Sequence, residues 1–174
     1  MDLLEIMQNR RSVRKYAGEE ISQEKLTKVL QAGLLSASSR GRKPWEFILV
    51  QEKDTLKKMS DCRDGAAKML EGAEAAIVVL GSEDKTDVWI EDCAIVMSNM
   101  HLMADSLDLG SCWIQGRLRE TADGTSTEEY LRKLLDFPEN SRLEAILSLG
   151  MPQNKGKRTE LEDLDMNKVH REKY

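Results

Sequence analysis

Residues 88–109, VWIEDCAIVMSNMHLMADSLDL, form the longest segment with a helical pattern in the chain. Apolar side chains nearly encircle this segment, and Gly110 follows it in the position where a glycine commonly ends a helix. A helix with so little polar surface normally lies at the centre of a core or in a subunit interface. Residues 88–109 are therefore predicted to occupy one of these two places.

Shorter segments on either side supply strands and further helices. Four strands are predicted, the second buried on both faces and the last half-buried: residues 45–50, 75–80, 111–115 and 143–149. The other predicted helices are one capped by Asp2, one opened by Ser22, one capped by Asp54 and running to about residue 63, residues 66–71, and one capped by Ser126 or Thr127 and running to residue 135. Because helices and strands intermix over one core, the α/β and α+β classes both remain open.

The composition fits one domain of ordinary size. The chain has 174 residues, of which 40% are hydrophobic and 33% are charged, enough to bury a real core. A net charge of −5 argues against a nucleic-acid coat, and the basic runs lack the aromatic neighbours of an RNA-binding module. No apolar run is long enough for a signal peptide or a membrane helix, so no membrane partner is expected.

The residues that usually bind metals or attack substrates are scarce. Cys62, Cys93 and Cys112 are odd in number and lack metal-ligand spacing, and the chain has only two histidines, His101 and His170. Neither a disulfide framework nor a metal site is expected, and a reducing cytoplasm is the predicted location. His101 is interpreted as a hydrogen-bonded core or interface residue, and Cys112 as a small buried residue. The sequence has no G-x-G-x-x-G, P-loop or G-x-S-x-G motif.

Basic residues are grouped in three short runs, although the chain is acidic overall. The runs are Arg10, Arg11, Arg14 and Lys15; Arg40, Arg42 and Lys43; and Lys155, Lys157 and Arg158. Like charges this close are easiest to tolerate where an anion such as phosphate binds, and plain solvation is the alternative for each run. If residues 10–14 are extended, Arg10, Ser12 and Arg14 face one side over about 13 Å. That spacing suits a long ligand with an anionic end.

Four segments together resemble the FMN-dependent nitroreductase family. Residues 10–16, RRSVRKY, resemble its N-terminal signature, and residues 36–50, SASSRGRKPWEFILV, resemble its second block. Residues 109–116, LGSCWIQG, resemble the turn after its central helix, and residues 149–152, LGMP, resemble its block near the C-terminus. The segments follow the family's order over essentially the whole chain, which implies a single FMN-binding domain over residues 1–174.

The resemblance implies an α+β fold with a central, mostly antiparallel sheet flanked by helices. It also implies an intertwined homodimer with FMN at the interface, each FMN contacted by both chains. A C-terminal arm at about residues 155–174 would wrap the partner.

The resemblance further implies which residues contact FMN. One chain is expected to supply Arg10, Arg11, Ser12 and Arg14, and the other chain Ala37, Ser38 and Ser39, with Pro44 nearby. The flavin's N5 and O4 edge is expected to meet main-chain groups of Cys112, Trp113, Ile114 and Gln115, and its phosphate to meet Lys157 and Arg158. The family often has asparagine and glutamine where this chain has Gly41 and Lys43, so the ligand of Lys43 is open between phosphate and a substrate.

The implied activity is that of an NAD(P)H-dependent oxidoreductase. Hydride from NADH or NADPH enters the flavin at N5 and leaves to a nitroaromatic, quinone or similar acceptor, in a ping-pong mechanism that needs no protein nucleophile and no metal. Arg14 is expected to stabilise negative charge near N1 and O2 of the reduced flavin. The alternatives are reductive dehalogenation or flavin fragmentation on the same fold, and a flavin-binding protein without turnover.

Overall fold

A four-stranded antiparallel sheet forms the middle layer of the molecule. The computed structural model describes residues 2–174. The strands are β1 (Trp45–Val50), β2 (Ala75–Gly81), β3 (Gly110–Gln115) and β4 (Arg142–Gly150). They lie in the order β1-β2-β4-β3, and each neighbouring pair is antiparallel, so β3 forms one edge of the sheet. The prediction of a central antiparallel sheet is confirmed.

Helices cover both faces of the sheet. The α-helices are α1 (Leu3–Asn9), α2 (Gln23–Leu34), α3 (Lys53–Met59), α4 (Trp89–Ser106) and α5 (Thr127–Leu135). Side chains of Asp2 and Ser22 cap α1 and α2, as the sequence predicts, and Ser126, one of the two predicted candidates, caps α5. Short 3-10 turns occur at Ser39–Gly41, Lys68–Gly72, Leu161–Asp163 and Met166–Lys168.

Two predicted helices differ from the observed structure. Helix α3 is capped by Glu52 and not by Asp54, because the Glu52 carboxylate accepts from the backbone N–H groups of Asp54 and Thr55. It also ends at Met59, before the predicted end near residue 63. Residues 66–71 form no α-helix. Instead, Lys68–Gly72 form a 3-10 turn, whose hydrogen bonds span one residue fewer than those of an α-helix.

Two apolar cores lie on opposite faces of the sheet because strand residues alternate in direction. In β2, Ile77 and Val79 face the core under α2 and α4, whereas Val78 and Leu80 face the core under α3 and α5. Strand β4 is also buried on both faces, so the prediction of a half-buried strand is wrong. The reason is its place between β2 and β3, where helices cover both sides.

Helix α4 spans the first core with one buried stripe and leaves part of its remaining apolar surface accessible. Cys93, Val96 and Met100 belong to the buried stripe. Ile95 is 41% exposed and Leu102 is half-buried. The first of its two predicted places, the centre of a core, is confirmed. Within residues 2–174 no helix, α4 included, is long and apolar enough to cross a membrane.

Residues 155–174 run along the surface as an extended arm. Thr159 is the one half-buried residue among them. Its N–H donates to the Gln8 carbonyl at 3.0 Å, and Gln8 Nε2 donates back to the Thr159 carbonyl at 3.0 Å. Beyond this tether the apolar side chains of the arm are exposed: Leu161, Leu164, Met166 and Val169.

Candidate functional site

The first basic run lines a groove beside strand β3. Ser12 forms a single parallel bridge to Ser111, and the Val13 N–H donates to the Ser111 carbonyl at 2.9 Å. The groove encloses about 610 Å³ and is lined by Arg10, Arg11, Ser12, Val13, Arg14, Lys15, Asn154 and Gly156. Arg14 is exposed, and its Nη1 donates to the Ser12 carbonyl at 3.3 Å. Arg10, Ser12 and Arg14, which the sequence places on one side, therefore share one cavity.

The Arg10 guanidinium is held by an uncharged partner. Its Nη1 lies 3.0 Å from His101 Nε2, and His101 Nδ1 is hydrogen-bonded to Ser111 Oγ. Burial of the imidazole, together with the Arg10 charge, lowers the pKa of His101 to about 4, so the ring is neutral near pH 7. Nε2 then accepts from Arg10, and the Nδ1–H donates to Ser111. The interpretation of His101 as a buried, hydrogen-bonded residue is confirmed.

Arg11 joins the end of α1 to the C-terminal arm. Its Nη1 donates to the Gln8 carbonyl at 2.9 Å, and its Nη2 donates to Thr159 Oγ1 at 2.6 Å. Gly156 leaves space for this side chain, because a Cβ there would lie 3.0 Å from Arg11 Cγ. Arg11 thus lines the groove, but its Nη1 and Nη2 donate to other protein groups and not into the cavity.

The cations of the last basic run lie outside this cavity. Arg158 Nη2 donates to Gln8 Oε1 at 2.6 Å, and Arg158 Nε lies 3.7 Å from a Glu160 carboxylate oxygen. Lys157 is exposed. Neither cation is among the described residues that line the cavity beside Arg10. Their contact with a phosphate stays a prediction.

Residues 10–16 form the groove segment, and Tyr16 anchors its C-terminal end to strand β4. Its hydroxyl donates to the Val13 carbonyl at 3.0 Å and lies 2.7 Å from Ser148 Oγ. Gly150 gives the ring its space, since a Cβ at that position would lie 2.5 Å from Tyr16 Cδ1. Burial raises the pKa of Tyr16, so the phenol stays protonated and keeps its donor.

The second basic run lies elsewhere, against the first turn of α4. The Ser39 N–H donates to Asp92 Oδ1 at 2.8 Å, and Ser38 Oγ accepts from the Lys43 N–H at 2.9 Å. Arg40 and Lys43 have φ values of 53° and 45°, in the left-handed region. The predicted contact residues of this loop range from exposed to buried: Ala37, Ser38, Ser39 and Pro44. None of these four lines the cavity beside Arg10 in the described chain.

Strand β3 presents a main-chain edge next to the groove. Because β3 pairs with β4 on one side only, N–H and C=O groups beyond Ser111 lie outside the ladder on its other side. Cys112 and Ile114 are buried, and Trp113 and Gln115 are half-buried. Trp113 Nε1 donates to Gln115 Oε1 at 2.9 Å. This edge can offer donors and acceptors to a ligand in the groove.

A second cavity of about 410 Å³ adjoins the groove. It is lined by Met7, Arg10, Ser12, Ser98, His101, Leu102 and Trp113. Trp113 is thereby brought to the same place as Arg10 and Ser12. Burial raises the pKa of the neighbouring Cys112 thiol, as expected of a small buried residue and not of a reactive thiolate.

The sequence model of the Nitroreductase family matches residues 7–63 and 59–151. The chain belongs to the nitroreductase family. A relative from Archaeoglobus fulgidus, named "Putative NADH dehydrogenase/NAD(P)H nitroreductase", is 35% identical over an alignment of 178 positions that covers 99% of this chain and 99% of the relative. A solved structure, an FMN-dependent nitroreductase from Clostridium difficile R20291, is similar with a TM-score of 0.95 and 41% identity, over 98% of this chain and 99% of that one.

Two of the four predicted groups of contact residues come together in this nitroreductase-family chain. The run that begins at Arg10 and the strand that carries Trp113 line adjoining cavities. The loop of residues 37–44 and the pair Lys157 and Arg158 lie elsewhere in the chain. None of these residues lines either of the two cavities.

Sequence reasoning missed the residues that fix the groove in this nitroreductase-family fold. Gly110 and Gly150 lie at strand ends where Val13 and Tyr16 cross them, and a Cβ on Gly110 would lie 2.7 Å from Val13 Cγ1. In the sequence, a glycine after a helix or a strand can mark a turn, or it can leave room for a side chain that crosses it. The structure shows the second role, because residues 13–16 cross these strands.

The buried imidazole makes the stability of this nitroreductase-family protein depend on pH. The pKa of His101 is about 4 in the folded chain, against about 6.5 in an unfolded chain. Between these values the unfolded state binds the extra proton, so the free energy of unfolding falls as the pH falls through this window. From pH 7 to pH 4.5 this one residue is expected to remove about 2 to 3 kcal/mol, at about 1.4 kcal/mol per pKa unit.

Urea unfolding of the ligand-free protein and of His101→Gln at both pH values measures this component. Titrations common to the two proteins cancel in the comparison. The stability of the parent relative to His101→Gln should therefore fall by about 2 to 3 kcal/mol at the lower pH. A difference that does not change with pH contradicts a buried, neutral imidazole.

Proposed function

We propose that the chain is an FMN-dependent oxidoreductase that takes electrons from NADH or NADPH and passes them to nitroaromatic, quinone or similar acceptors. The observation that carries this proposal is the groove in which Arg10, Ser12 and Arg14 lie beside the open main-chain edge of β3. Family membership and 41% identity to an FMN-dependent nitroreductase support the same cofactor.

The residues of the groove fit FMN by charge and by donor type. Arg10 has a neutral partner, so its positive charge is available to a phosphate, and Ser12 is exposed beside it. Polar main-chain groups of β3 fit the hydrogen-bonding edge of a flavin ring, which has both donors and acceptors. Phosphate would bind at Arg10 and Ser12, and the ring would lie towards residues 112–115.

The role of the protein in this proposal is to bind, orient and stabilise charge. When bound, FMN supplies the hydride chemistry, and the protein supplies binding, orientation and electrostatics. Arg14 is exposed in the same cavity, where its guanidinium can stabilise negative charge that develops on the ring. The buried Cys112 takes no part, because its thiol is held protonated.

We further propose that residues 1–174 act as one FMN-binding domain in a homodimer. Exposed apolar residues of α1 support a second copy, with Leu3 59%, Leu4 50% and Met7 48% exposed. The arm of residues 155–174 leaves its apolar side chains uncovered in the single chain, which supports its wrapping around the partner. The partner would then supply Ala37, Ser38, Ser39 and Pro44, with Lys157 and Arg158 closing on the phosphate. The ligand of Lys43 stays open between the phosphate and a substrate.

We place this enzyme in the cytoplasm. The support is that Cys62, Cys93 and Cys112 are all buried free thiols, which suits a reducing compartment.

Anaerobic stopped-flow measurement of the two half-reactions tests this proposal. Because one groove would serve donor and acceptor in turn, we expect loss of flavin absorbance with NADH or NADPH and its return with an added quinone or nitroaromatic. Steady-state rates should then give the parallel double-reciprocal lines of a ping-pong mechanism. Intersecting lines contradict the shared groove. Bound FMN that neither nucleotide reduces indicates a flavin protein without this activity.

A further inference from the structure

Arg10 is a groove cation that forms no ion pair with a carboxylate among the described residues. Among residues 2–174, every ion pair within 4.0 Å uses another cation. The side-chain partner of Arg10 is instead His101 on α4, which is 7% exposed. A neutral acceptor fixes the direction of a guanidinium without competing with an anionic ligand for its charge.

His101 is itself held from the other side. Its Nδ1 is bonded to Ser111 Oγ, and Ser111 is 2% exposed in β3. The backbone of Ser111 carries the bridge to Ser12 and accepts from the Val13 N–H. The backbone of the groove segment and the side chain of Arg10 are thus tied to the same residue of β3, one directly and one through the imidazole.

We propose that His101 is a positioning residue, which accepts from the Arg10 guanidinium through Nε2 and directs it, without an ion pair to a carboxylate of the described chain, towards the phosphate of FMN. Because the Arg10 guanidinium can only donate, Nε2 of the neutral ring carries no hydrogen, and the proton lies on Nδ1, which donates to Ser111 Oγ. This inference rests on the proposed binding of FMN in the groove.

Other charged groups around the imidazole are consistent with this arrangement. Asp105 lies one turn further along α4, and its carboxyl feels the charges of Arg10, Arg11 and Lys155. It forms no ion pair with Arg10 among the described residues. Burial holds the pKa of Asp105 above its usual value in spite of these cations. The acceptor for Arg10 is thus the neutral ring and not this carboxylate.

Dissociation constants of FMN, measured by fluorescence titration of the full-length protein, test the proposal. His101→Leu removes the acceptor and is expected to weaken FMN binding about tenfold, the usual size for one hydrogen bond to a charged group. His101→Gln keeps an oxygen acceptor and should stay within about threefold of the parent. Tyr130→Phe, which removes a hydrogen bond to the Lys58 carbonyl on α3, is the matched control and should bind as the parent does.

A double-mutant cycle separates positioning from general packing. In an Arg10→Ala background, His101→Leu should have almost no further effect on FMN binding, because the residue it acts through is gone. The proposal is overturned if His101→Leu binds as the parent, if His101→Gln binds as weakly as His101→Leu, or if the two losses multiply in the double variant. If His101→Leu does not fold, Ser111→Ala replaces it, with a smaller loss expected; parental binding by Ser111→Ala then overturns the proposal.

The same measurements distinguish failure of this inference from failure of the proposed function. Parental FMN binding by Arg10→Ala overturns the phosphate assignment itself. Weak binding by Arg10→Ala with parental binding by His101→Leu overturns only the role of His101.

Discussion

Replacing Arg10 by alanine is expected to weaken FMN binding about 10- to 100-fold. A hydrogen bond to a charged group contributes about 1.5 to 3 kcal/mol, and Arg10→Ala removes such a bond together with its positive charge. The guanidinium has His101 as its neutral side-chain partner, so its loss leaves behind no unpaired carboxylate that would complicate the result. Fluorescence titration with FMN, or retention of flavin during gel filtration, gives the measurement.

Lys57→Ala is a suitable control for this substitution. Lys57 is an exposed cation on α3, which packs on the opposite face of the sheet from α4. The control changes net charge by the same amount and should leave FMN binding unchanged. If Arg10→Ala holds FMN as tightly as Lys57→Ala, the phosphate does not bind at the first basic run.

The substitution Gly150→Ala is expected to cost the protein about 3 kcal/mol of stability and much of its FMN binding. A Cβ at Gly150 would lie 2.5 Å from Tyr16 Cδ1 and 2.9 Å from Tyr16 Cβ, too close for either atom. The ring cannot turn away cheaply, because its hydroxyl is bonded to the Val13 carbonyl. Overpacking of this kind typically costs about 1 to 3 kcal/mol. Displacement of Tyr16 would shift residues 13–16 and thereby change the shape of the groove.

Gly72→Ala tests whether the effect belongs to the close approach. Gly72 has an ordinary φ, and no heavy atom lies within 4 Å of a Cβ placed there. Its substitution should change stability by less than about 0.5 kcal/mol. Thermal or urea unfolding of both variants, with FMN titration of each, gives the comparison. Equal stability of Gly150→Ala and Gly72→Ala would show that Tyr16 is not fixed as described.

The local elements were largely predictable because each has its cause nearby in the chain. Strand β1 begins directly after Pro44 and was predicted at its observed bounds, Trp45–Val50. Ser22 and Ser126 are N-caps whose side chains accept from the third residue of the helix. The cap of α3 was misassigned because Glu52 and Asp54 are both acidic residues near a helix start, and only geometry shows which one meets the free N–H groups.

The grouping of the first basic run was predictable from the sequence, whereas the residues that support it were not. The arginines of residues 10–14 stand out by charge and spacing, and they do line one cavity. Their supports come from far along the chain: His101 is 91 positions from Arg10, and Ser148 is 132 positions from Tyr16. No local pattern relates such pairs, because helix and strand periodicities describe neighbours within one element. The burial of β4 was missed for the same reason, since its position within the sheet is set by distant strands.

The connections of residues 8–17 determine when the groove can form during synthesis of the chain. This segment is made before its partners Ser111, Ser148, Met151 and Thr159. The ribosome must therefore have released the chain as far as these residues before Arg10, Arg11 and Arg14 acquire their fixed positions. Pairings so distant in sequence also form slowly, because a long loop must close first. If FMN binds in the groove as proposed, its binding is a late step in the synthesis of each chain, because a nascent chain without β4 lacks the contacts that position the groove.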